Sequence, residues 1–147
     1  MRVVKLGVIS VIVLFIILFL MSLLIPSNVR ISRAINIEAP PGDVFPYVAD
    51  IRKWNEWNEM LNDRIDVQLL SADSNLVTSK WTYGGRSIYG FCRLEKAGEI
   101  TIVQWYFDFR LKWYPWEKFG SITFEKQFGP PMERSLTNLR KRVTKTP

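Results

Sequence analysis

The chain has 147 residues, 20 basic and 14 acidic, for a net charge of +6, with one cysteine and no histidine. The missing histidine removes the usual general base, the Ser-His and Cys-His nucleophile pairs and the commonest zinc ligand, and a lone Cys92 forms no intramolecular disulfide. With no CxxC pair and no basic stripe interleaved with a recognition motif, most hydrolase, metalloenzyme and nucleic-acid readings fall away, and neither a metal nor a cofactor is expected.

Between Lys5 and Arg30 no residue is charged, and Leu6–Pro26 (LGVISVIVLFIILFLMSLLIP) is almost wholly Leu, Ile, Val and Phe. About 20 apolar residues at roughly 1.5 Å rise each cover the roughly 30 Å hydrocarbon core of a bilayer. A transmembrane helix is predicted, with residues 1–28 as an anchor and 29–147 as one domain. A cleaved secretory signal shares the basic start, but its apolar core typically runs about 7–15 residues to a small-x-small site; this run is longer and ends in LLIPSN. Arg2 and Lys5 on one flank are nearly matched by Arg30 and Arg33 on the other, so the positive-inside bias is small. A short cytoplasmic tail would place the domain on the extracytoplasmic side.

After the anchor, VRISRAINIE (29–38) alternates, with Val29, Ile31, Ile35 and Ile37 on one face, and reads as a half-buried strand. Only Pro26-Ser27-Asn28 separates it from the apolar run, which predicts a domain held close to the headgroups. Strict alternation puts Arg33 on the apolar face, where an unpaired charge is costly. It must reach solvent at an irregular strand, pair with Glu38 or Asp50, or meet a ligand headgroup. Ala39-Pro40-Pro41-Gly42-Asp43 is a breaker, and Val44, Tyr47 and Val48 then recur at helical spacing from about Pro41. Ile51, Trp54 and Trp57 mark a second short helix.

Ile65, Val67 and Leu69 define a strand, 76–83 and 87–95 two more, with turns at 72–75, 84–86 and 97–99. In 100–113, Val103, Trp105, Phe107, Phe109, Leu111 and Trp113 share one face and Gln104, Asp108, Arg110 and Lys112 the other, as in a long antiparallel strand covered on one side. Residues 116–128 fit strand or helix. Gly129-Pro130-Pro131 predicts a break, beyond which Met132, Leu136, Leu139 and Val143 form the apolar face of a terminal helix. That helix ends in Arg140, Lys141, Arg142 and Lys145, which can oppose the helix dipole or touch anionic lipid.

The segment VRISRAINIEAPPGDVFPYVADIRKWNEW, with Ala39-Pro40, Val44-Phe45, Asp50, Trp54 and Trp57, resembles the opening of the START-like (SRPBCC) superfamily, which includes polyketide cyclases and lipid-transfer domains. The closing run, with Gly129, Pro130, Glu133, Leu136 and Leu139, resembles the tail of its membrane-anchored bacterial members. The resemblance covers nearly all of 29–147. It implies an α+β helix-grip fold, an antiparallel curved sheet around a long C-terminal helix, here behind one transmembrane helix and in a bacterial inner membrane. The meander is shorter than in a typical member, which implies a smaller or more open cavity.

Such folds hold a hydrophobic cavity between sheet and helix, and the covered faces offer Trp81, Tyr83, Trp105, Phe107, Phe109, Met132, Leu136 and Leu139 as its lining, with Arg33 beside them. Each is equally a natural core residue, because aromatic side chains dominate core packing. Trp54 and Trp57 are expected to pack the short helices against the sheet mouth. The anchor, the short linker and the aromatic sheet face point to a membrane-tethered, non-catalytic binder of a lipid or other hydrophobic small molecule, with the bilayer as its partner. A cyclase or aromatase would need Tyr83, Tyr89, Asp108 and Arg33 as its acid-base or orienting groups. A docking module with a vestigial pocket is the third alternative.

Overall fold

The computed structural model describes residues 1–145. Its elements are helix α1 (Arg2–Leu23), strand β1 (Asn28–Ile37), helix α2 (Pro41–Ala49), a 3₁₀ helix (Ile51–Glu56), strands β2 (Ile65–Asp73), β3 (Leu76–Tyr83), β4 (Arg86–Ala97) and β5 (Ile100–Arg110), and helices α3 (Pro115–Ser121) and α4 (Phe124–Lys145). Two compact units result: Met1–Val29 with Arg110–Thr123, and Arg30–Phe109 with the chain from Phe124 onward.

In the first unit, α1 is apolar from Leu6 on and exposed over most of its length, with Ser22 buried near its end, and it is long and apolar enough to cross a membrane. The expected strand over 100–113 ends at Arg110, so Leu111 and Trp113 do not continue its covered face. The reason is local. Tyr114 must be extended before Pro115, which takes the first position of α3. The backbone N–H groups therefore leave the ladder, that of Leu111 donating to Ser27 O (2.8 Å) and that of Lys112 to Glu117 Oε2 (2.9 Å).

In the second unit the sheet order is β1-β5-β4-β3-β2, and β2 through β5 pair antiparallel in sequence. Three two-residue loops set the registers: Asp73 faces Leu76, Tyr83 faces Arg86, and Ala97 faces Ile100. Gly84 and Gly85 both take positive φ (56° and 78°), the backbone a tight hairpin between right-twisted strands requires. An irregularity between Leu69 and Ser71 leaves Leu70 exposed.

α4 packs its predicted stripe of Met132, Leu136, Leu139 and Val143 into the core, giving the α+β helix-grip architecture. Gly129-Pro130-Pro131 does not break the chain. The helix starts at Phe124 and runs through both prolines, which resolves the ambiguous stretch before them as helix. Each proline removes one helical hydrogen bond. Two kinds of contact offset the loss. Phe124 and Phe128 lie 4.8 and 4.9 Å from Phe109, and Arg33 bridges Glu125 before the prolines to Glu133 after them, donating to Glu133 Oε1 at 2.6 Å. Gly129 is buried beneath the Arg33 guanidinium, where a Cβ would collide with it.

The core is a closed ring of four indoles: Trp54 to Trp57, Trp57 to Trp105 and Trp54 to Trp81 at 5.8 Å, and Trp81 to Trp105 at 5.9 Å. Trp54 and Trp57 donate from Nε1 to Val48 O (2.9 Å) and Tyr47 O (3.1 Å), so two carbonyls of α2 tie that helix to the ring.

Candidate functional site

A cleft of about 570 Å³ opens between Asn62, Asp63, Arg64, Ile65, Tyr83 and Phe128. A second cavity of about 340 Å³ shares Asn62, Asp63 and Ile65 and continues over Ile51, Asn55, Leu61 and Val67. Asn62, Asp63 and Ile65 thus border both, and both volumes suit a small ligand. The loop into β2 builds this wall from asparagine turns: Asn58 Oδ1 accepts from Met60 N, and Asn62 Oδ1 from Arg64 N, each at 3.0 Å. Asn58 is buried, and its Nδ2 has no hydrogen-bond partner among the described residues.

Glu59 fastens the loop to α4. Its N–H donates to Ser135 Oγ (2.9 Å), and its carboxylate accepts from Arg134 Nε (2.7 Å) and Asn138 Nδ2 (3.0 Å). Arg134, then Asn138, holds the Glu59 carboxyl below its ordinary value of 4.5. A carboxyl whose pKa is lower folded than unfolded contributes stability above its unfolded value and loses it as pH falls through the folded one. The melting temperature should therefore fall below about pH 4.5, and a Glu59→Gln variant should lose less over that range than the parent. Parallel thermal melts of the two from pH 7 to pH 3 check this, and identical acid slopes would contradict it.

Of the residues expected to line a pocket, Tyr83 alone borders the cleft, 59% exposed at the end of β3. Trp81, Trp105, Phe107, Met132, Leu136 and Leu139 are all at most 2% exposed and packed together with Phe109 in the core. Arg33 shares the inward side of β1 and is neutralised by Glu125 and Glu133, not by Glu38 or Asp50; these partners, Glu125 first, raise its pKa against a smaller effect of burial.

The four polar candidates do not converge. Asp108 takes a two-pronged contact from Arg30 (2.6 and 2.8 Å), whose guanidinium lies 4.3 Å from the Tyr106 ring centre on the outer sheet face. Tyr89 faces Asp108 across β4 and β5, while Tyr83 and Arg33 lie on the inner side. Burial pushes the Cys92 thiol up to about 12, so it stays protonated and behaves as a small apolar core residue. Among the described residues no group of three or more His, Cys, Asp or Glu side chains is placed to hold a metal.

Sequence reasoning missed Phe128, Asn62, Asp63 and Arg64. Phe128 was obscured by the expected helix break after it. The other three sit in a loop without periodicity, where the asparagine spacing at 58 and 62 was the one available signal.

An antiparallel sheet gripping a long terminal helix is the helix-grip fold. Solved structures share it. CalU16 from Micromonospora echinospora superposes with a TM-score of 0.62 at 17% identity, over 80% of this chain and 76% of that one. DynU16, from the dynemicin biosynthetic locus, gives 0.59 at 14% identity over 82% of this chain, which spans 48% of DynU16. The Zhui aromatase/cyclase from Streptomyces sp. R1128 gives 0.56 at 11% identity, over 80% and 94%. At such identities the likeness shows the fold alone. No protein-family model and no curated protein sequence matches the chain.

Proposed function

We propose that the protein is a membrane-tethered, non-catalytic binding domain for a lipid or another hydrophobic small molecule, held in the cleft beside Ile65, Tyr83 and Phe128. The observation that carries this reading is the composition of that cleft: two aromatic rings and an isoleucine form its apolar wall, and Asp63 and Arg64 offer polar contacts at the same site. A flexible apolar tail suits the rings and a polar head suits the charged pair. The apolar α1 supports the tether.

The test is titration of the detergent-purified full chain with a dansylated fatty acid, alongside mass spectrometry of copurified lipid. Saturable binding is expected. A Tyr83→Asp variant should bind at least about tenfold more weakly, because losing an apolar ring contact of about 1.5–3 kcal/mol exceeds the 1.4 kcal/mol per decade of affinity. Tyr83 is largely exposed, so the melting temperature should hardly move. No saturable binding and no copurified lipid would refute the reading.

A cyclase-type enzyme is the second reading. It is favoured by one observation, the Tyr83 side chain sharing the cleft with Asp63 and Arg64, on a fold similar to that of the aromatase/cyclase. It requires that Tyr83→Phe, which keeps the ring and removes the hydroxyl, abolish turnover while leaving fatty-acid binding intact.

A further inference from the structure

Six tryptophans are present, and they fall into two populations. Trp54, Trp57, Trp81 and Trp105 are 2–3% exposed, whereas Trp113 and Trp116 are 64% and 63% exposed. Trp113 lies in the segment that joins β5 to α3, Trp116 in the first turn of α3, and Ile122 just beyond α3 is 65% exposed. Three large apolar side chains within ten residues present an apolar surface that would be unfavourable in water.

The segment's place within its own unit accounts for them. Leu111 N donates to Ser27 O, Lys118 Nζ donates to Ile25 O (3.0 Å), and the Trp113 ring meets Phe19 of α1 edge-on with centres 6.3 Å apart. The chain is thereby fastened to the C-terminal end of α1. Phe19 lies four residues before the end of α1, so at roughly 1.5 Å per residue Trp113 is level with a point about 6 Å inside the apolar span. Indoles concentrate at that depth, where the ring is shielded and its N–H reaches water or headgroups. Tyr114 is sandwiched between the two indoles, 4.7 Å from Trp113 and stacked 4.9 Å from Trp116. Lys118, nearly buried, covers the Ile25 carbonyl just past the helix end, which would otherwise enter the interface unpaired. Lys112 is exposed beside these rings and can meet lipid phosphates.

We infer that Lys112–Ile122 is a second membrane contact, an aromatic platform that lies in the headgroup layer at the C-terminal end of α1, with Trp113, Trp116 and Ile122 entering the lipid. The inference rests on α1 crossing a bilayer. It does not depend on what the cleft binds.

The full chain, reconstituted into phosphatidylcholine–phosphatidylglycerol vesicles, tests it through tryptophan fluorescence. Lipid brominated at acyl carbons 6 and 7 should quench roughly a third of the emission, the share of two indoles in six. Aqueous iodide should quench little. In the Trp113→Phe/Trp116→Phe variant the remaining emission should be insensitive to brominated lipid. Iodide quenching of the parent, or no quenching by either agent while the chain resists carbonate extraction, would overturn this contact alone. Release of the chain by carbonate would overturn the anchor and this contact with it.

Discussion

Phe107→Ala should lower the stability of the protein by about 3–5 kcal/mol, the range for removing a buried aromatic ring. Phe107 is fully buried on β5, and its ring centre lies 5.2 Å from Trp81, 5.3 Å from Trp105, 6.1 Å from Phe128 and 6.4 Å from Phe109. No single neighbour can close the hole, because Trp81 and Trp105 are fixed in the indole ring and Phe128 is held by α4. For a domain of this size the loss corresponds to on the order of 10–20 °C in melting temperature. Near-ultraviolet circular dichroism should weaken with it as the indoles lose their fixed surroundings. The measurement also decides how Phe107 is used. A residue lining ligand space would be cheap to truncate, so a loss below about 1 kcal/mol would reassign it from the packed core to the cavity wall.

Gly90→Val should be the second most damaging change, at about 2–3 kcal/mol by overpacking. Gly90 lies on β4 between Ser79 and Phe107. A Cβ there would stand 2.8 Å from Phe107 Cε1, 2.9 Å from Trp81 Nε1 and 3.0 Å from Ser79 Oγ. Neither ring can retreat without disturbing the other indoles. The site is also a small hydrogen-bonded relay: Trp81 Nε1 donates to Ser79 Oγ (2.9 Å), which donates to Gly90 O (3.2 Å). A branched side chain would strain the packing and threaten a buried N–H at once. Gly42→Ala near the start of α2 is the matching control, since a Cβ there meets nothing within 4 Å. Denaturant titrations of the two variants should separate by at least about 2 kcal/mol, and equal midpoints would show that the strands can shift to accommodate the side chain.

Phe107 and Gly90 sit on strands that periodicity reveals. Alternation in 65–69, 76–83 and 100–110 identifies strands because one face of each is covered, and the spacing of Met132, Leu136, Leu139 and Val143 identifies a helix face for the same reason. The same rule misleads at Leu111 and Trp113, whose parity is right but whose backbone has already turned toward Pro115. It also gives way at Pro130 and Pro131, where local propensity is overruled by contacts from Phe109 and Arg33, distant in sequence and invisible to any window. The cleft was less legible than the fold. Its apolar wall combines Ile65, Tyr83 and Phe128 from three separate elements, and its polar side is a loop shaped by Asn58, Glu59 and Asn62, with no repeat to betray it.

The bridge from Arg33 to Glu133 spans 100 residues of chain, and its consequence is one of timing. A ribosome releases the first strand long before the last helix exists. Until Glu125 and Glu133 emerge, the inward guanidinium of Arg33 has neither of its final carboxylates, and until Arg33 is in place the two prolines of α4 lack the clamp across them. The contact therefore joins an early strand of the domain to its last helix, and loop closure on that scale slows folding. The domain should be completed only after its C-terminal helix has been synthesised, and a nascent chain arrested before Glu125 should remain protease-sensitive even with all five strands already made.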